Sequence, residues 1–183
     1  MRASSVSRVF ARVASLQGEA RGAAAAEFAL VALLLSYMLI NAVDVGMYVY
    51  TSMQVQNAAQ VEGESIFTNC VQKNEIPVTV TGKCTGYAAY VTTAGHSTSL
   101  GSGVTAGSDG AGAVSEAWYC ESAGVLTQTS TTMTTPPACT GKAGPYDYVK
   151  TSASYRYTSV FPGATVVSLL TSPISSTAMI RIQ

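Results

Sequence analysis

Histidine and charge are both scarce in this chain. One histidine, His96, stands among 183 residues, and Asp, Glu, Lys and Arg together make up 11% of them. A typical soluble domain carries about 25%. A Ser/His/acid triad therefore has a single imidazole to draw on, and no G-x-S-x-G supplies a nucleophile. No C-x-x-C spacing exists, so a structural zinc site lacks its usual ligands. The formal net charge is 0, and no basic patch is interleaved with aromatics, which argues against a nucleic-acid partner.

Phosphate-binding loops are missing too. "GSGVTA" (Gly101–Ala106) starts like a dinucleotide fingerprint, but no apolar strand precedes it and no helical pattern follows. "TGK" at Thr81–Lys83 and Thr140–Lys142 lacks the glycine that should stand before it. No cofactor motif is present, and the chain is not expected to be an enzyme. Trp118 and Tyr119 beside Cys120 could form a sugar platform, but packing against a disulfide is the simpler expectation for them.

Cations are also missing from one long interval. Arg2, Arg8, Arg12 and Arg21 crowd the N-terminus, and the next Lys or Arg is Lys73. Inside that interval Phe28–Val43 holds no formal charge, with Glu27 and Asp44 as its brackets. Adding Ala23–Ala26 gives about 20 residues, enough to cross about 30 Å of hydrocarbon as a helix. The arginine-rich side is expected to stay in the cytoplasm. Tyr48 and Tyr50 fall where an interfacial aromatic belt belongs. Ala23–Ala26, Ala29, Ala32, Ala42 and Gly46 are small residues that let membrane helices approach closely. A secretory signal peptide would place its small residues after the apolar core, whereas here they come first.

The reversed order carries a resemblance. A basic leader ending in Gly22, then "AAAAEF" (Ala23–Phe28), then an apolar helix, resembles the processing site of type IV prepilins. More closely it resembles the TadE/TadF-like minor pilins, or pseudopilins, of the tight-adherence (Flp) pilus system. Asn41–Gly63, with an acid two residues before Gly46 and then Gln56-Asn57-Ala58-Ala59, is similar to that family's continuation. The C-terminal "SSTAMIRIQ" resembles its last strand. In place of the arginine that often follows the acid–x–Gly element, this chain has Met47-Tyr48.

The resemblance implies a mechanism. Prepilin peptidase would cut between Gly22 and Ala23, removing residues 1–22 as a leader. Glu27 would then face the new amine of Ala23 on a neighbouring subunit, with Phe28 beside it. A carboxylate at lipid depth needs such a partner. The bland alternative is that Glu27 snorkels to the cytoplasmic headgroups. The implied partners are the peptidase, other major and minor pilins, the assembly platform and inner-membrane lipid. The implied role is priming, capping or joining a pilus that serves surface adhesion and biofilm. The rival is a membrane-tethered periplasmic binding module or a pilus-tip adhesin.

The expected fold class is α+β, with a long helix over residues 23–65 and a small antiparallel β-rich periplasmic head over residues 66–183. Val55, Ala59 and Ile66 lie at helical spacing, and the helix should run about 40 residues. Four strands are expected. "IPVTVTG" alternates Ile76, Val78 and Val80, and "YAAYVTT" (Tyr87–Thr93) is the second. Tyr146–Phe161 is the longest, and Thr177–Ile182 alternates Ala178, Ile180 and Ile182. Pro162–Leu170 fits either a short helix or a strand. Gly101–Gly112 and Ser130–Pro137 read as loops.

Cys70, Cys84, Cys120 and Cys139 all follow the span, and an even count in an oxidising compartment predicts two disulfides. Of the three possible pairings, Cys70–Cys84 and Cys120–Cys139 each close a local loop. Each would contribute about 3 kcal/mol through loop entropy.

Overall fold

The computed structural model describes residues 4–107, 114–170 and 172–183, with side chains from residue 22 onward. The basic residue Arg2 and the stretch 108–112 of the expected glycine-rich loop lie outside the described residues. The fold is α+β, as the sequence predicts. One helix, α1, runs without a break from Ser4 to Ile66, 63 residues, and passes into a π-helical turn at Phe67–Val71. At 1.5 Å per residue it is about 95 Å long. It is longer than expected at its front, because helix formers continue back through the arginine-bearing segment and neither Gly18 nor Gly22 interrupts it.

The head packs against the C-terminal half of α1. Strand β4 (Ala143–Tyr155) is its spine. On one edge β4 pairs antiparallel with β5 (Ile174–Arg181). On the other edge β1 (Val104–Ala106) and β2 (Ser115–Ser122) follow each other along it. Strand β3 (Val125–Ser130) extends the sheet beyond β2. The β2–β3 turn is the pair Ala123-Gly124, with φ of 51° and 79°. Two consecutive positive-φ residues between antiparallel strands make a type I′ turn, whose twist matches that of the strands.

The expected helical stripe is the packing face. Val55, Ala59 and Ile66 are all fully buried. Val55, Ala58 and Ala59 pack with Val104, Ala153 and Ile174. Ile66 continues into a second cluster with Cys70, Val78, Val91, Val149 and Ile182. Burying each Val or Ile stabilises the fold by about 1.5–3 kcal/mol. Thr151 donates a buried 2.9 Å hydrogen bond to the Ala59 carbonyl, which ties the spine of the sheet to the helix. Gly63 allows this approach, since a Cβ there would meet Ile180 Cγ2 at 3.3 Å.

Two expected strands are replaced by other structure. Tyr87–Gly95 is a helix, α2, rather than a strand. Its N-cap is Gly86, at φ 88°, a left-handed conformation that turns the chain directly into the helix. Val91 is fully buried and α2 packs on α1, so a tertiary contact outweighs the strand preference of tyrosine, valine and threonine. "IPVTVTG" forms bends and turns instead of a ladder. The N–H groups of Val78 and Thr79 both donate to the Glu116 carboxylate, at 2.8 and 2.7 Å. Consecutive N–H groups converging on one side chain cannot alternate as a strand requires. Tyr146–Phe161 is a strand only as far as Tyr155. Pro162–Leu170 contains a short 3₁₀ turn at Val166–Leu169. The presumed loop after Leu100 contains β1, and β2 and β3 are additional strands.

Both disulfides have the expected partners, Cys70–Cys84 and Cys120–Cys139. The first joins the π-helical turn that follows α1 to the segment before α2. The second staples β2 to the segment leading into β4.

Candidate assembly and anchoring site

The residues singled out for processing lie together on α1. Gly22, Ala23, Glu27 and Phe28 fall within two helical turns, and all are exposed. Phe28 is 74% exposed. The stretch that follows has a peak mean hydropathy of 2.1 over an 18-residue window, and none of that window is buried within the chain. Leu30, Leu33, Leu34, Leu35 and Leu39 all face outward. A water-facing helix of this composition would be costly. Its length and composition suit a single membrane crossing.

Where the apolar stretch ends, the head reaches back to the helix. Asp44 is fully buried. Its Oδ1 accepts hydrogen bonds from the Tyr157 hydroxyl at 2.8 Å and the Val160 N–H at 2.9 Å. Its Oδ2 accepts from the Thr165 hydroxyl at 2.5 Å and from the Ser159 hydroxyl. One turn earlier, Asn41 Oδ1 accepts from the Val166 N–H at 2.9 Å. Burial alone would raise the Asp44 pKa. The hydrogen bonds from Ser159, Thr165, Val160 and Tyr157 outweigh it and hold the carboxyl well below the usual carboxylate range. Burial, and then the bond to Asp44, pushes the Tyr157 hydroxyl up to about 12. Tyr48, one turn after Asp44, meets the Tyr157 ring edge-on at a centroid distance of 5.4 Å.

The sequence marks Asp44 only as the far bracket of the apolar stretch. Its partners are more than a hundred positions away, beyond the reach of any local pattern. The usable signal was weak: Tyr157, Thr158, Ser159 and Thr165 form a hydroxyl-rich run with an acid to satisfy elsewhere.

Among the described residues three further acids are buried, Glu62 on α1 and Glu116 and Asp147 in the head. Glu62 is fully buried beneath Gly95, where a Cβ would come within 2.6 Å of its Oε1. Neither Glu62 oxygen closes a hydrogen bond. Burial pushes its pKa up to about 7, and the nearby Gly107 amide offsets only part of this. Asp147 is buried beside Glu116, and burial followed by that like charge raises its pKa. No group of three or more His, Cys, Asp or Glu suited to a metal occurs among the described residues. His96 ends α2 and bonds the Val104 carbonyl through Nε2 at 3.1 Å. Trp118 is buried, and Tyr119 stacks edge-on with Tyr148.

No curated protein and no solved structure matches this chain. A family model described as TadE-like protein matches residues 22–61. The match begins at Gly22, spans Glu27, the apolar stretch and Asp44, and ends just before Glu62. It coincides with the part of α1 that carries Gly22, Ala23, Glu27 and Phe28 and the acid gripped by the head, and over residues 22–61 the chain is TadE-like.

Proposed function

We propose that this chain is a minor pilin or pseudopilin of a tight-adherence pilus, held in the inner membrane by α1 before assembly. The N-terminus lies in the cytoplasm and the head in the periplasm. Prepilin peptidase cuts between Gly22 and Ala23, leaving Glu27 as the fifth residue of the mature chain. Its carboxylate then pairs with the Ala23 amine of an adjacent subunit and fixes the axial stagger of the helices. The head gives the subunit its place in priming, capping or joining the filament.

One observation carries the reading. The segment that matches the TadE-like family begins at Gly22 and contains an apolar helix with no cover from its own chain. Something outside the chain must cover it, and lipid before assembly and pilin helices after it are the covers that the family likeness supplies. The Asp44 clasp supports the same reading, because it makes the head turn with the helix.

A Glu27→Gln variant in the native host tests the pairing role. Normal removal of the leader with loss of pili is the expected result. Unimpaired piliation would remove Glu27 from assembly.

A further inference from the structure

We propose that the loop Val160–Leu170 is a second membrane contact, dipping into the outer face of the same bilayer that α1 crosses. The proposal rests on the membrane-span reading. It adds to it a surface that neither the family match nor the apolar helix assigns.

Position is the first argument. The span Ala23–Val43 covers the hydrocarbon in about 30 Å. Asn41 therefore lies within the last turn inside its outer boundary, and Asp44 just beyond. The Val166 N–H is bonded to Asn41 and the Val160 N–H to Asp44. These two bonds place the loop level with the end of the span. The Thr165 hydroxyl holds it there against Asp44.

Surface chemistry is the second. Thr165 and Val167 turn inward and are buried, while Val166, Leu169 and Leu170 point out. Leu169 is 85% exposed, and Phe161 and Val160 are exposed on the same loop. No Asp, Glu, Lys or Arg occurs between Arg156 and Arg181. A run of bulky apolar side chains with no charge is costly in water and favourable at a lipid surface. Arg156 lies on the rim, exposed, beside a cleft of about 450 Å³ that it shares with Tyr48, Pro162 and Leu170. An arginine and a tyrosine above an apolar loop suit headgroup phosphates and the interfacial zone.

Tryptophan quenching in lipid tests the proposal. The full chain, as wild type, Leu169→Trp and Leu34→Trp, is placed in nanodiscs of phosphatidylglycerol and phosphatidylcholine brominated at defined depths. Leu169 and Leu34 are both exposed, so neither substitution disturbs a packed core, and intact disulfides confirm folding. Buried Trp118 sets the background in each sample. Leu169→Trp should lose most of its added emission to bromines near the acyl carbonyls. Leu34→Trp should lose its emission to bromines near the chain ends. A quenched Leu34→Trp with an unquenched Leu169→Trp overturns the loop contact while the span stands. A Leu169→Trp emission that shifts to the blue but resists bromine means a second protein covers the loop, and also overturns it. An unquenched Leu34→Trp removes the span itself, and the loop contact with it.

Discussion

The Tyr157 hydroxyl donates a 2.8 Å hydrogen bond to Asp44, across 113 positions of sequence. That contact joins the point where α1 leaves its apolar stretch to the loop after the spine of the sheet. With the bonds from Ser159, Val160 and Thr165 it makes the head and the helix one body.

Removing the acceptor should free the loop. Asp44→Ala leaves three hydroxyls and one N–H without their common partner, a more costly outcome than losing a single bond. Hydrogen exchange over residues 157–166 should accelerate strongly while the sheet β2–β4–β5 keeps its protection. The acid dependence follows from the lowered pKa. A depressed carboxyl contributes stability above its unfolded value of about 3.9. That contribution is lost as pH falls through the still lower folded value. Protection of the loop in the wild type should therefore hold steady from neutral pH down to about pH 4. An equally protected Asp44→Ala loop would show that the clasp does not hold it.

Glu62 should have the opposite pH signature. Its folded pKa, near 7, lies above the ordinary value of 4.5. The folded state therefore binds more protons than the unfolded state between those two values, and stability falls as pH rises through the window. Asp147, raised in the same direction, adds to the slope. Glu62→Gln should flatten this part of the profile and raise head stability above pH 7, by at most a few kcal/mol. The check is thermal unfolding of the full chain in detergent, followed by near-ultraviolet circular dichroism at a series of pH values. A variant with the same slope as the wild type would place the titration elsewhere.

Gly95 should not tolerate a side chain. A Cβ there would come within 2.6 Å of Glu62 Oε1 and 3.2 Å of the Ala106 Cβ. Gly95→Ala should destabilise the head by about 1–3 kcal/mol, the usual cost of overpacking. In Gly95→Ala/Glu62→Ala the clash with the carboxylate is gone, so part of the loss should be recovered. Simple additivity of the two changes would argue against the contact.

The two disulfides should differ in accessibility. Cys70 and Cys84 are both buried, whereas Cys139 is partly exposed. Mild reductant under native conditions should open Cys120–Cys139 first, detected by thiol alkylation and peptide mass. Either bond, once lost, should cost about 3 kcal/mol. Reduction of Cys70–Cys84 ahead of Cys120–Cys139 would contradict the burial difference.

What could be read from the sequence was what repeats locally. Val55, Ala59 and Ile66 announce a buried helical face because their spacing is fixed by the helix itself. Ala178 and Ile180 announce the inward face of β5 in the same way, by strand alternation, and Ile182 just past its end keeps to that face. The cysteine pairs followed from loop closure. The Tyr87–Thr93 segment misled because its residues favour strands, while Gly86 and the contact with α1 decide for a helix. Ile76–Val80 misled because a strand-like alternation was present without strand partners, and Glu116, far along the chain, takes its N–H groups. The β2–β3 hairpin was hidden by an Ala-Gly turn that lacks the usual asparagine. Of the proposed assembly site, Gly22, Ala23, Glu27 and Phe28 stand out in the sequence as a contiguous pattern, and they fall inside the TadE-like match. The grip on Asp44 does not stand out, since it exists only once the chain has folded back on itself.

The most direct measurement is the intact mass and N-terminal peptide of the protein extracted from membranes of cells with an active prepilin peptidase. The expected chain begins at Ala23, with its amine free to meet Glu27 of a neighbour. A chain that still carries Met1–Gly22 would contradict the pilin reading and leave a tethered head domain in its place.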